Sequence, residues 1–139
     1  MRITLEQLKT KRACIAGIKY FLSRDWKSDA EILEDLSHLN HDWMLWVAIE
    51  FQLPLPAGLT TLDCCRLSNY DQPLPAGLAT LECSNLSYYE CPLPAGLTTL
   101  VCDGLYNYAH QLPAGLTSLE CIFGLSNYKH PLPVGVKIL

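Results

Sequence analysis

The segment LPAGLTTLDC at residues 55–64 recurs through the rest of the chain. It returns as LPAGLATLEC at 74–83, LPAGLTTLVC at 93–102 and LPAGLTSLEC at 112–121, and in altered form as LPVGVKIL at 132–139. The first three steps are 19 residues long and the last is 20. A fixed period of this length predicts a solenoid, in which each repeat forms one coil and neighbouring coils stack around a common core.

The Leu-x-Cys spacing predicts one short strand in each coil. In the first coil Leu62 and Cys64 alternate with Asp63, so the apolar pair faces one side of the strand and the aspartate the other. The remaining residues of each coil include Pro, Gly, Asn and Tyr, which favour extended or turning backbone over helix. A triangular β-helix needs three apolar strands per coil, and only one is visible. We therefore predict an α/β solenoid with one parallel strand per 19-residue coil.

The repeat resembles the bacterial leucine-rich repeats that carry a Leu-Pro-x-x-Leu-x-x-Leu motif, found here at residues 55–62. Residues 69–75, of the form Asn-Tyr-x-x-Pro-Leu-Pro, are similar to the FNIP-type variant of that repeat. The resemblance covers residues 53–139 and implies a short leucine-rich-repeat array of a kind known from effector proteins secreted by pathogens. Effector relatives that are ubiquitin ligases carry a large separate catalytic domain, and we expect none here.

Residues 1–52 contain no repeat and are predicted to form a helical N-terminal cap on the array at 53–139, which holds four full units and a truncated fifth. Thr4 with Gln7, and Ser28 with Glu31, follow the reciprocal capping pattern of helix starts. Apolar residues mark four helices: Leu5 and Leu8; Ile15, Ile18 and Leu22; Ile32, Leu36 and Leu39; Trp43, Trp46 and Val47. A second binding surface is the alternative role for this region.

Charge and hydropathy exclude several classes of protein. Residues 53–139 carry three Lys or Arg against six Asp or Glu, and residues 1–52 carry seven against eight. This is not the basic stripe that phosphate backbones require, so we expect no direct nucleic-acid binding. The apolar run at 13–18 is cut by Lys19 and is no signal-peptide core, and the run at 43–49 is too short to span a bilayer. We therefore expect a cytoplasmic protein with reduced thiols and no membrane association.

Equal positions of successive coils form columns, because neighbouring strands lie about 4.8 Å apart. The Leu and Cys framework barely changes, whereas the outward positions differ between coils, as expected of a surface fitted to a partner. The predicted partner-binding residues are Thr61, Asp63, Cys65, Arg66, Thr80, Glu82, Ser84, Asn85, Thr99, Val101, Asp103, Ser118, Glu120, Ile122 and Phe123. Since Asp63 stacks beside Glu82, a partner with a basic or mixed surface is favoured. The alternative is a solvated acidic face without a partner.

Two further columns are assigned structural roles. Cys64, Cys83, Cys102 and Cys121 point inward and are predicted to be buried, small, apolar groups. Tyr70, Tyr89, Tyr108 and Tyr128 are predicted to cover the thin core, with an interface as the alternative.

A metal site is the minor alternative for the polar groups on the return side of the coils, Cys91, His110 and His130, and for the loose pair His38 and His41. No fourth ligand and no Cys-x-x-Cys pair is visible, so we predict neither metal nor cofactor.

No catalytic set is recognisable from residue types and spacing. Cys14 and Cys65 are conceivable nucleophiles, but neither has an identifiable base nearby. We expect a non-catalytic protein, with a thiol enzyme or metal protein as the alternative.

The fifth unit ends where its strand forms, at Val136, Lys137 and Ile138. We expect a second copy of the chain, or a strand of a partner, to cover this edge.

The expected function is a protein–protein interaction module, in its specific form a small host-directed inhibitor that acts by occlusion. A phage-borne protein that blocks a bacterial defence complex such as CRISPR fits this description. An effector acting in a eukaryotic host is the alternative, suggested by the family resemblance alone.

Overall fold

The computed structural model describes residues 3–23, 28–67, 69–86, 89–103, 105, 108–121 and 128–138, apart from the side chains of Cys65, Arg66 and Asn85. The chain forms two compact units, Met1–Pro56 and Ala57–Leu139. The first is helical and the second is a solenoid of parallel strands. None of the described helices is both long and apolar enough to cross a membrane.

The helical unit contains α1 (Leu5–Thr10), α2 (Ile15–Leu22), α3 (Asp29–Leu39) and α4 (His41–Phe51). The predicted capping pair at the start of α1 is confirmed. Thr4 Oγ1 accepts the N–H of Gln7 at 3.2 Å, and Gln7 Oε1 accepts the N–H of Thr4 at 2.8 Å. At α3, the hydroxyl of Ser28 accepts the N–H of Glu31 at 3.3 Å, so the predicted start of that helix is also correct.

Two helix caps were not predicted from the sequence. Asn40 Oδ1 accepts the N–H of Trp43 at the start of α4, at 3.1 Å. At α2 the thiol of Cys14 takes this role, and its Sγ accepts the N–H of Gly17 at 3.3 Å. Asn is a preferred N-cap residue whereas Cys is not, so only the first had a recognisable sequence signal.

The helices pack in pairs, α1 against α2 and α3 against α4. Their buried apolar residues are Leu8, Ile32, Leu33, Leu36, Met44, Leu45, Val47 and Ala48. Three residues taken as markers of the apolar faces are instead exposed, namely Ile15, Leu22 and Leu39. Each is the first or last residue of its helix, where the neighbouring helix no longer covers the side chain.

Polar contacts also connect the helices of this unit. The N–H of Ile3 donates to Asp29 Oδ1 at 2.6 Å, and the hydroxyl of Tyr20 donates to Asp35 Oδ2 at 2.9 Å. The ring of Tyr20 lies against that of Trp43, with 5.7 Å between centroids. These contacts hold the first part of the unit on α3 and α4.

The solenoid unit carries one sheet of five parallel strands in chain order: β1 (Thr61–Arg66), β2 (Thr80–Asn85), β3 (Thr99–Cys102), β4 (Ser118–Cys121) and β5 (Lys137–Ile138). Pairing follows the repeat, so that Leu62 lies opposite Leu81 and Cys64 opposite Cys83. The described residues thus confirm the predicted α/β solenoid with one parallel strand per 19-residue coil.

The inward residues of each coil fill a common core, as the Leu-x-Cys spacing predicted. The strand leucines Leu62, Leu81, Leu100 and Leu119 are fully buried, and the cysteines Cys64, Cys83 and Cys102 are buried beside them. A second set of leucines closes the core after each strand, comprising Leu67, Leu86 and Leu105.

Each coil turns at its Pro-Ala-Gly segment. In the third segment the N–H of Leu97 donates to the carbonyl of Pro94 at 3.1 Å, and the second, the fourth and the fifth, which reads Pro-Val-Gly, close in the same way. The next residues then bond to the preceding coil: the N–H groups of Thr98 and Thr99 both donate to the carbonyl of Ala79. The turn therefore delivers the chain directly into the parallel pairing of the next strand.

Candidate functional site

The outward face of the sheet is the candidate binding surface, and its columns are those that the repeat predicts. Asp63 lies opposite Glu82, Glu82 opposite Val101, and Val101 opposite Glu120. A second column runs Thr61, Thr80, Thr99, Ser118 and Lys137. We name the outward positions of β1–β5, together with Asp103 at the exit of β3, the strand face.

In the column that runs from Asp63 to Glu120, the side chains on β1 and β2 are more exposed than those on β3 and β4. Asp63, Glu82 and Ser84 are exposed, whereas Val101 and Glu120 are half-buried. Asp103, at the exit of β3, is also half-buried.

The described side chains of the strand face are mainly acidic. It carries the carboxylates of Asp63, Glu82, Asp103 and Glu120, and Lys137 is the single cation among its described side chains. Within the described residues, no ion pair involves any of these carboxylates. Among the described residues, their mutual repulsion is therefore not offset by an ion pair.

Several predicted binding residues lie beyond what the structure describes. Ile122 and Phe123 are outside the described residues. Cys65, Arg66 and Asn85 belong to β1 and β2, but their side chains are not among those described. Their part in binding stays a prediction.

The tyrosine column lies in the core and is not a surface. Tyr70, Tyr89 and Tyr108 are each no more than 3% exposed, and Tyr128 is half-buried. This confirms the structural role predicted for the column. It also removes the first three rings as candidates for partner contact.

The hydroxyls of these tyrosines tie each coil to the one before it. Tyr89 donates to the carbonyl of Gln72 at 2.8 Å, and Tyr108 accepts the N–H of Leu93 at 3.0 Å. Tyr128 does both, donating to His110 O at 3.1 Å and accepting the N–H of Leu112 at 2.8 Å. These hydroxyls thus form hydrogen bonds with backbone groups of the preceding coil that lie outside the β-sheet.

Burial shifts the acidity of these phenols in one direction. It raises the pKa of Tyr108 to about 12, although the hydrogen bond from Leu93 acts to lower that pKa. Burial also raises the pKa of Tyr89 and of Tyr128. The phenols therefore remain neutral donors and acceptors well above neutral pH.

The polar column on the return side bonds to backbone. Cys91 Sγ donates to the carbonyl of Asp71 at 3.6 Å, while His110 Nε2 lies 2.6 Å from the carbonyl of Glu90 and His130 Nε2 lies 2.7 Å from that of Ala109. Each side chain binds the coil before it, which is a structural use of these groups. In the described part of the chain, no cluster of three or more His, Cys, Asp or Glu residues is arranged to hold a metal ion.

The other histidine pair also has a local environment. His38 Nε2 lies 3.2 Å from Glu34 Oε1 one turn earlier on α3. His41 Nε2 is buried and forms no hydrogen bond with the described residues.

The described thiols differ in exposure: Cys14 is exposed in the helical unit, Cys64, Cys83 and Cys102 are buried in the solenoid, and Cys91 and Cys121 are half-buried. The predicted burial is wrong for Cys121, because the described pairing of β4 with β5 ends at Leu119. Burial, followed by the neighbouring Cys64 and Cys102, raises the pKa of the Cys83 thiol well above its ordinary value. A thiol in this environment is a poor nucleophile, which agrees with the apolar role predicted for the cysteine column.

The strand β5 pairs with β4 through Lys137 opposite Ser118 and Ile138 opposite Leu119. Ile138 therefore continues the inward leucine column, yet its side chain is 55% exposed. Val136 is half-buried. The pairing of this strand with a second copy or a partner stays a prediction.

The described fold belongs to the class of parallel solenoids with an additional helical unit. Comparison with protein families, with curated proteins and with solved structures finds no match to this chain.

Proposed function

We propose that this chain is a non-catalytic protein-binding module whose strand face docks a partner with a basic or mixed surface. The observation that carries the proposal is the contrast between framework and face. The inward positions are Leu and Cys in coil after coil, while the outward positions in the same register change from Asp63 to Glu82, Val101 and Glu120. Packing of the core explains why the inward residues are constant. It does not explain why the outward residues vary, and contact with a partner accounts for that variation.

The charge of the strand face supports a basic partner. Four carboxylates gather on one open sheet with Lys137 as its one described cation. Like charges on adjacent strands destabilise a sheet by a few tenths to about 1 kcal/mol per pair, a cost that a basic partner relieves. The same field speeds the encounter with such a partner and weakens as salt rises.

The specific form of the proposal is an inhibitor that acts by occlusion inside a cell. A small module without chemistry of its own prevents a larger assembly from working by covering one of its surfaces. Under this proposal the chain is a leucine-rich-repeat protein of the Leu-Pro-x-x-Leu-x-x-Leu type, cytoplasmic in its place of action. A phage-borne blocker of a bacterial defence complex is the version to test first.

Affinity capture with charge-reversal variants tests the proposal. The wild-type chain is immobilised beside the triple variant D63K/E82K/E120K, and lysate is taken from the producing cell and its host. The matched control is E6K/E34K/E90K, which makes the same charge change at exposed carboxylates away from the strand face. We expect the wild-type chain and the control to capture the same protein and the face variant to lose it.

Retention of that protein by D63K/E82K/E120K would contradict the proposed face. Equal loss by both triple variants would show that capture depends on net charge alone. Far-UV circular dichroism of all three proteins establishes that the variants remain folded.

A further inference from the structure

The helical unit contains a cavity of about 350 Å³. Its wall is mainly apolar and includes the aromatic side chains of Tyr20, Phe21, Trp43 and Trp46. Pockets that bind small molecules begin at roughly 300 Å³ and are lined mainly by such side chains, with a few polar groups that orient the ligand. The size and lining of this cavity therefore match a small-molecule site. Protein binding through the strand face does not depend on this site.

The polar lining lies where the cavity meets solvent. Arg12, Cys14 and Asp42 all line the cavity and all are exposed. The thiol of Cys14 is already engaged as the N-cap of α2. This leaves one cationic and one anionic side chain to orient a ligand.

Arg12 occupies a backbone position that ordinarily selects glycine. It follows the end of α1 with φ +61, and the N–H of Ala13 returns to the carbonyl of Leu8 at 2.9 Å. A residue with a Cβ costs on the order of 1 kcal/mol in this left-handed conformation, so stability alone does not favour arginine here. Within the described residues, no ion pair occupies its guanidinium.

Asp42 is the less available of the two charges. It lies in the first turn of α4, where the unpaired N–H groups of the helix terminus offset negative charge. Arg12 follows the C-terminal end of α1, where unpaired carbonyls likewise offset its charge, but its left-handed backbone favours glycine. The helix termini therefore explain an aspartate at position 42 and do not explain an arginine at position 12, which points to an anionic ligand group.

We propose that this cavity binds a small aromatic or branched apolar molecule that carries one carboxylate. The apolar body lies among Tyr20, Trp43 and Trp46, and the carboxylate is held by the guanidinium of Arg12. Arginine is suited to this role because its planar N–H groups bind both oxygens of a carboxylate at once. The site is separate from the strand face and adds a ligand to the protein-binding role.

Three probes that differ only in their polar end test the ligand class. The full-length protein is titrated by calorimetry with 3-phenylpropionate, 3-phenylpropan-1-ol and 3-phenylpropylamine. A charge-assisted hydrogen bond is worth about 1.4 kcal/mol or more, so we expect the carboxylate to bind about tenfold more tightly than the alcohol, and the amine to bind least. Equal affinities for the three probes, or no saturable binding of any, would overturn the proposal.

Variants locate the site. R12Q is expected to reduce the affinity for 3-phenylpropionate to that for the alcohol, while K9Q, the same charge change on α1 outside the cavity lining, leaves it unchanged. D42N is expected to keep or tighten carboxylate binding. Equal effects of R12Q and K9Q, or loss of binding in D42N, would contradict the assignment.

A variant that fills the space gives an independent test. Gly17 lines the cavity, and G17L places a branched side chain there. We expect G17L to lose all three probes while R12Q loses only the preference for the carboxylate. Undiminished binding in a folded G17L protein would place the site elsewhere.

Discussion

The side chains of Asp63 and Glu82 are direct neighbours on adjacent parallel strands, with no described cation beside either. Like charges at such a pair destabilise the sheet. If the carboxylates are retained for a partner, removing one should stabilise the isolated protein.

We expect E82K to raise the free energy of unfolding by about 0.5 kcal/mol at low salt, with E82Q giving a smaller gain. The gain should shrink in 1 M NaCl, because salt screens exposed charges. Urea unfolding followed by circular dichroism measures both effects. An E82K protein less stable than E82Q at low salt would contradict the repulsion.

The tyrosine column provides a second prediction. The Y89F variant leaves the partly buried carbonyl of Gln72 without this donor and keeps the ring. An intramolecular hydrogen bond contributes about 0.5–1.5 kcal/mol, so we expect a loss of stability in that range. A loss below about 0.5 kcal/mol would mean that another donor or water replaces the hydroxyl.

The raised tyrosine pKa values predict a loss of stability in alkali. The pKa of Tyr108 is about 12 in the folded protein against an ordinary 10.0, so above pH 10 the unfolded state releases a proton that the folded state keeps. The stabilising contribution is thus complete below pH 10 and falls as the pH rises toward 12. Tyr89, whose pKa is also raised by burial, adds to the same trend.

Thermal unfolding between pH 8 and pH 11.5 measures this dependence. We expect the Tm to fall above pH 10 and the fall to be smaller in Y108F, which lacks the titrating group. Identical alkaline profiles for wild type and Y108F would contradict the account of Tyr108.

The solenoid register could be predicted from the sequence, and the helical cavity could not. A 19-residue step fixes which residues lie opposite each other, so the column of Asp63, Glu82, Val101 and Glu120 follows from the repeat alone. The burial of Tyr89 in the core also follows from its place in the coil. Its bond to Gln72 does not, because it depends on how far the hydroxyl reaches into the preceding coil.

Local signals in the helical unit were only partly informative. The hydrogen bonds between Thr4 and Gln7 join residues within one four-residue segment, so the sequence pattern was sufficient to predict them. The exposure of Ile15 and Leu39 depends on where neighbouring helices end, which periodicity does not encode. The left-handed conformation of Arg12 had no sequence signal, because glycine is the residue that ordinarily marks it.

Thiol labelling tests the cysteine column. At pH 8 we expect an aromatic disulfide reagent to modify Cys14 rapidly and to spare Cys64, Cys83 and Cys102 until the protein is unfolded in urea. The reason is that Cys14 is exposed whereas the other three are buried, and burial raises the pKa of Cys83. Peptide mass mapping reads each site separately. Labelling of Cys83 at the rate of Cys14 in the native protein would be incompatible with a closed core.

Site-specific photo-crosslinking in the producing or host cell tests the strand face most directly. A benzophenone amino acid is placed at Ser84, which is exposed on that face, or at Ala76, which is exposed at the turn of the same coil. We expect a partner protein to be crosslinked from position 84 and not from position 76. Crosslinking from position 76 alone, or from neither position while the partner still co-purifies, would contradict binding through the strand face.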